Sequence, residues 1–126
     1  MYTSVKKDFE QSEKAKKLEQ NCNGFKINRI AFVRHKTTIL EKNIEIENNK
    51  VLKAAIGYIT TEEDKTPVLY ISVWTKGLFN ILEHSDDIPC IILGKSLKRK
   101  SFKLLKEYSN KINNDYILKV YNQAIS

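Results

Sequence analysis

Two cysteines, two prolines and four glycines are all that this 126-residue chain holds of the residues that staple or break a backbone. Cys22 and Cys90 stand far apart without a CxxC, which excludes a disulfide framework and a cysteine-built zinc knuckle. No apolar run approaches the length of a bilayer span, and the polar stretch after Met1 does not resemble a signal peptide. His35 and His84 lack a Cys, Asp or Glu partner at ligand spacing, so no metal is expected. Glu62, Glu63, Asp64, Asp86 and Asp87 fall in polar loops rather than as a paired-acid motif on a strand or helix, which argues against a metal-dependent nuclease. There is no Gly-rich phosphate loop ending in Lys-Ser or Lys-Thr and no Gly-x-Ser-x-Gly elbow. A non-enzyme without cofactors is expected, and its location is expected to be cytoplasmic.

What is present is positive charge. Lys and Arg number 22 against 15 acids, a net charge of +7, with 41% hydrophobic residues, enough for one core. A basic balance favours a polyanionic partner without specifying a fold. The charge is concentrated: Lys95, Lys98, Arg99, Lys100, Lys103, Lys106 and Lys111 meet one acid, Glu107, with Phe102 and Tyr108 among them. Phosphates need cations and unpaired bases need π-faces on which to stack, so a nearly one-signed run interleaved with aromatics reads as a nucleic-acid surface.

Composition divides the chain at Gly24. Residues 1–24 mix Lys and Glu around few apolar side chains and read as an extension, helical at most with a weak packing face. Two readings stand for it: a frayed extension, or an arm that docks on a neighbouring subunit through Phe9 and Leu18. Residues 25–126 form the domain. Phe25, Ile27, Ile30, Phe32 and Val33 open it as a strand-like run, followed by Ile39, Ile44 and Ile46 in TTILEKNIEIE. Asn48-Asn49 signals a turn, 51–60 a strand, 61–67 a polar hairpin loop, and VLYISVW (68–74) the strongest strand. Leu78, Ile81 and Leu82 fall at i, i+3, i+4 and predict a short helix over 76–84. Pro89 opens a strand at 89–94, residues 95–103 are basic, 104–114 read as polar and turn-rich, and 115–121 read as a closing strand. Five strands with one short helix between the third and fourth predict a mostly β chain: a Greek-key barrel of the OB-fold type.

The segments INRIAFVRHKTTI (27–39), NNKVLKAAIGYITTEEDKTPVLYISVWTKGLFNIL (48–82), PCIILGKSLKRKSF (89–102) and NDYILKVYNQAI (114–125) together resemble, in order and spacing, the bacterial single-stranded DNA-binding protein family. The resemblance implies an OB-fold that coats single-stranded DNA with little sequence preference, as a homodimer or higher oligomer. It assigns base stacking to Trp74 and Phe102. It puts phosphate contacts at Arg34, Lys76, Lys98, Arg99 and Lys100, and the basic run adds Lys103. Strand alternation adds Tyr70 as a stacking residue: with Leu69, Ile71 and Val73 inward, Tyr70, Ser72 and Trp74 share the other face. Housekeeping members carry a Gly/Pro-rich linker and an acidic tip that recruits repair proteins; here Ser126 follows the last segment directly. The implied relative is one encoded by a plasmid, conjugative element or phage, acting in replication or transfer of that element. Two other readings stay open: an RNA-binding OB protein, or a protein-interaction module (inhibitor or adaptor) that uses the basic strip. No membrane partner is expected. Cys22 reads as a thiol in the arm and Cys90 as a small buried hydrophobe.

Overall fold

The computed structural model describes residues 22–32 and 35–126, with backbone alone for 28–38. Five antiparallel strands, β1 (Lys26–Phe32), β2 (His35–Ile46), β3 (Lys50–Thr60), β4 (Lys65–Lys76) and β5 (Leu82–Ile92), precede two helices, α1 (Phe102–Lys111) and α2 (Asn114–Ile125). The sheet order is β1-β2-β3-β4-β5, so every hydrogen-bonded neighbour is also the neighbour in sequence. This is an open meander. The pairing between strands distant in sequence that a Greek key requires is not among the described pairings.

Alternation within the strands sorts side chains onto two faces. Leu40 and Ile44 of β2, Leu52, Ala54, Ile56 and Tyr58 of β3, and Leu69, Ile71 and Val73 of β4 form one cluster with Leu105, Ile112, Ile117 and Tyr121. The helices therefore cover that face. The partner register carries the pattern across strands: Leu40 opposes Ile56, and Ile56 opposes Leu69. The N-terminal turn is stitched to the far end of α1, where the Asn23 side-chain amide donates to the Ser109 and Ile112 carbonyls at 3.1 and 3.2 Å. Lys42 in turn donates to the Asn23 carbonyl at 2.9 Å. Among the described residues no buried side-chain nitrogen or oxygen lacks a hydrogen-bond partner, and no helix is long and apolar enough to cross a membrane.

Helix placement differs from the sequence expectation in three places. First, 76–84 is not a helix. Three apolar hits over five residues match a helical period, but Gly77 and Ile81 flank a tight turn at Leu78–Asn80, and Leu82 pairs back with Lys76 to begin β5. Second, 104–114 is not a turn region, and the basic segment 95–103 runs into a helix. Ser101 is an N-cap whose hydroxyl accepts from the Leu104 amide at 3.2 Å, and α1 follows. Third, 115–121 is helix, not strand. Asn113 caps α2 by accepting from the Tyr116 amide at 2.8 Å, Asp115 sits in the first turn, and Ile117 and Tyr121 are buried at i, i+4. β-Branched and aromatic residues made that segment look like a strand, yet its period is 3.6. The segment 27–39, which the resemblance equates with a single opening strand, spans parts of two paired strands, β1 and β2. The thiols are also exchanged relative to expectation: Cys22 is buried in the core cluster and Cys90 is exposed on β5.

β5 is an edge strand that does not present a regular edge. Its register against β4 shifts between Leu69 and Ile71 and again between Val73 and Trp74. Pro89 lies within the first irregularity and offers no N–H. Bulges and proline both discourage another strand from adding there.

Candidate functional site

The face turned away from α1 and α2 carries the alternate residues of the same strands. Tyr70, Ser72 and Trp74 of β4 lie on it, opposite Ala55, Lys53 and Val51 of β3. Tyr70 is 40% exposed although its neighbour Leu69 is buried. Four residues of strand separate Tyr70 from Trp74, roughly 13 Å at the usual rise.

Trp74 is held on three sides. Its indole N–H donates to the Ser72 hydroxyl at 2.9 Å. The Lys53 ammonium stands 4.7 Å from the ring centroid, a cation–π contact across the strand pair. The His84 ring meets it edge-on, with centroids 5.2 Å apart and planes at 72°. His84 Nε2 lies 2.8 Å from an Asp87 carboxylate oxygen. Sequence reasoning placed Tyr70, Ser72 and Trp74 on one face by alternation but missed Lys53 and His84, because their approach to Trp74 depends on the cross-strand register.

The remaining predicted residues lie elsewhere. Lys76 closes β4, and its ammonium is 2.5 Å from a Glu45 carboxylate oxygen, so its charge is already matched. Lys98, Arg99 and Lys100 are exposed in the segment between β5 and α1, and none forms an ion pair among the described residues. That segment is anchored beside the start of β4: Leu97 and Lys65 exchange backbone hydrogen bonds of 2.6 and 2.8 Å. Thr66 and Ser96 share a hydroxyl contact of 2.7 Å. Lys103 is exposed on α1, but Phe102 at its start is half-buried and packs against the core. Phe102 is thus apart from the face bearing Trp74 and Tyr70. From Lys65 to Trp74 is nine strand residues, roughly 30 Å. The basic segment and Trp74 therefore lie at opposite ends of β4, with Tyr70 midway along the strand. Arg34, Phe9 and Leu18 lie outside the described residues or side chains.

Burial raises the Tyr70 phenol above its ordinary pKa, with the Cys90 thiol adding to the effect. Tyr58 is raised as well, first by burial and then by Tyr108, against the opposing hydrogen bond to the Ser101 backbone. Both phenols are therefore neutral hydrogen-bonding groups at physiological pH. Among the described residues no group of three or more His, Cys, Asp or Glu converges as metal ligands do. Compared with family models, curated proteins and solved structures, the chain matches none of them.

Proposed function

We propose that this protein binds single-stranded nucleic acid without marked sequence preference, laying the strand along β4. The observation that carries this reading is the pair Tyr70 and Trp74 on one face of an antiparallel sheet, with Lys53 over the indole. Aromatic side chains on a sheet face stack bases in RNA-recognition and OB-type modules alike, so the reading needs no closed Greek-key barrel. The OB architecture implied by the sequence resemblance remains part of the proposal, as does a homodimer or higher homo-oligomer. On this reading a base replaces Lys53 at the indole face, and the freed ammonium moves to the adjacent phosphate. Lys98, Arg99, Lys100 and Lys103 meet phosphates at the other end of β4.

The test is fluorescence anisotropy of a labelled oligo-dT titrated with the protein at two salt concentrations. The chain has one tryptophan, so emission reports Trp74 alone. Binding is expected to quench that emission and to weaken steeply with salt. Trp74→Ala is expected to lose about 1–3 kcal/mol of binding free energy. Changing Lys98, Arg99 and Lys100 to Ala should instead flatten the salt dependence. A matched RNA oligomer decides between DNA and RNA. Absence of binding to either at low salt would overturn the proposal.

A further inference from the structure

Two hairpin turns lie side by side at one end of the sheet, joined where the Lys76 amide donates to the Asn49 carbonyl at 2.7 Å. Their backbones match. The β2–β3 turn has Asn48 and Asn49 at φ 64° and 59°, and the β4–β5 turn has Phe79 and Asn80 at φ 61° and 60°. Two consecutive positive φ values are the mark of the type I′ hairpin turn, which favours Asn and Gly. In the second turn the Ile81 amide donates to the Leu78 carbonyl at 3.3 Å, and the Gly77 amide to the Ile81 carbonyl at 2.8 Å. Asparagine tolerates the left-handed region, whereas a bulky side chain there is strained.

The protein's own packing does not account for Phe79. It is 93% exposed, with Leu78 at 84% and Ile81 at 61%. A residue that strains its turn and is not packed into the fold points to something outside the chain. The chemistry of the tip narrows what that is. Residues 77–82 carry no charge in a chain that is 29% charged. Its three large exposed side chains carry no polar group with which to direct a partner. Behind it stand Lys50 and Lys76 together with Glu45, Glu47 and Glu83, Lys76 being paired with Glu45, and then Trp74, three strand residues or roughly 10 Å from Gly77. An apolar tip backed by a belt of mixed charge and an indole with a polar edge suits a bilayer boundary, with acyl chains at the tip and zwitterionic headgroups behind it.

We infer that the β4–β5 tip docks shallowly on a lipid bilayer, with Leu78, Phe79 and Ile81 in the acyl boundary and Trp74 near headgroup level. The sequence expectation of no membrane partner rested on the lack of a spanning run, and shallow docking needs none. Glu45, Glu47 and Glu83 offset Lys50 and Lys76 around the tip, so the attraction is apolar and depends little on anionic lipid. This inference shares Trp74 with the nucleic-acid reading but does not use the basic segment at the far end of β4, so vesicle binding and oligonucleotide binding are tested separately.

The experiment is co-sedimentation of the full chain with phosphatidylcholine vesicles, with and without phosphatidylserine. Brominated phosphatidylcholine serves as a depth probe for Trp74 emission. The wild type is expected to partition onto both vesicle types. Phe79→Ser and Phe79→Gly are expected to lower partitioning about tenfold or more, with thermal unfolding no earlier than in the wild type. Absence of co-sedimentation by the wild type would overturn the inference. So would equal partitioning of wild type and variants. Binding confined to phosphatidylserine vesicles and abolished by salt would transfer the contact to the basic segment at 95–100. Weakened oligonucleotide binding with unchanged vesicle binding would make the tip a base-stacking wedge.

Discussion

Leu69 and Tyr70 are consecutive in β4, and they belong to different environments. Leu69 is 1% exposed beneath the helices, whereas Tyr70 is 40% exposed on the opposite face. The same split runs through Ile71 and Ser72 and through Val73 and Trp74. One face holds the fold together by burial. The other, where Val51 and Val68 are also buried, carries two aromatics, a lysine over an indole and a histidine at its edge, and polar contacts hold those groups in place. The difference shows how one strand serves both stability and recognition: the pleat separates the two tasks by one residue.

The comparison can be broken most forcefully at Leu69. Leu69→Ala removes buried methyl groups beneath α1 and α2 and should lower unfolding free energy by about 2–5 kcal/mol in urea titrations. A loss below about 1 kcal/mol would mean that the helix-covered face does not dominate stability. Tyr58 tests the same face at its polar margin. Its hydroxyl donates to the Ser101 carbonyl at 2.6 Å and accepts from the Ser101 amide at 3.1 Å, fixing the start of α1. Tyr58→Phe should cost about 1–2 kcal/mol.

The two phenols also set a pH dependence. The folded pKa of each is raised above the ordinary 10.0, so the folded state holds its proton more tightly than the unfolded chain. Their contribution is fully present below pH 10.0 and is lost as pH rises through the raised values. Thermal midpoints should therefore fall in alkali, and less steeply in Tyr58→Phe than in the wild type. An identical alkaline slope would assign the effect to other groups.

Smaller effects sharpen the contrast. Phe79→Gly relieves a left-handed φ at an exposed site and should stabilise the protein by about 1 kcal/mol at most in the same urea titrations. A loss of stability would show that Phe79 packs within the fold. Tyr70→Ala should change stability least, by less than about 1 kcal/mol, while weakening oligonucleotide binding measured by anisotropy. If it destabilises as much as Leu69→Ala, the two faces are equally structural.

Much of the sheet was legible. The strand expected at 51–60 is β3 over Lys50–Thr60, and the one at 68–74 lies within β4 over Lys65–Lys76. Both rest on β-branched alternation and on turn residues such as Asn48 and Asn49, which are local signals. The helices were less legible. Tyr116, Ile117, Val120 and Tyr121 have strand-forming side chains, but Asn113 and Asp115 start a helix, and burial of Ile117 and Tyr121 on the sheet sustains it. At 78–82 the error ran the other way, because a short apolar triplet fits a helix until the Lys76–Leu82 pairing closes a hairpin.

By itself the sequence determined the basic charge, the β-rich core and the alternation that separates Leu69, Ile71 and Val73 from Tyr70, Ser72 and Trp74. Those properties follow from composition and from a two-residue period, both of which are written along the chain. The tertiary structure alone decided that Lys53 and His84 meet Trp74, that Phe102 joins the core and that the cations lie some 30 Å from the indole along β4. It also decided that Phe79 stands in water. Cross-strand register and helix docking govern each of these, and both arise from pairings between residues that no local pattern connects.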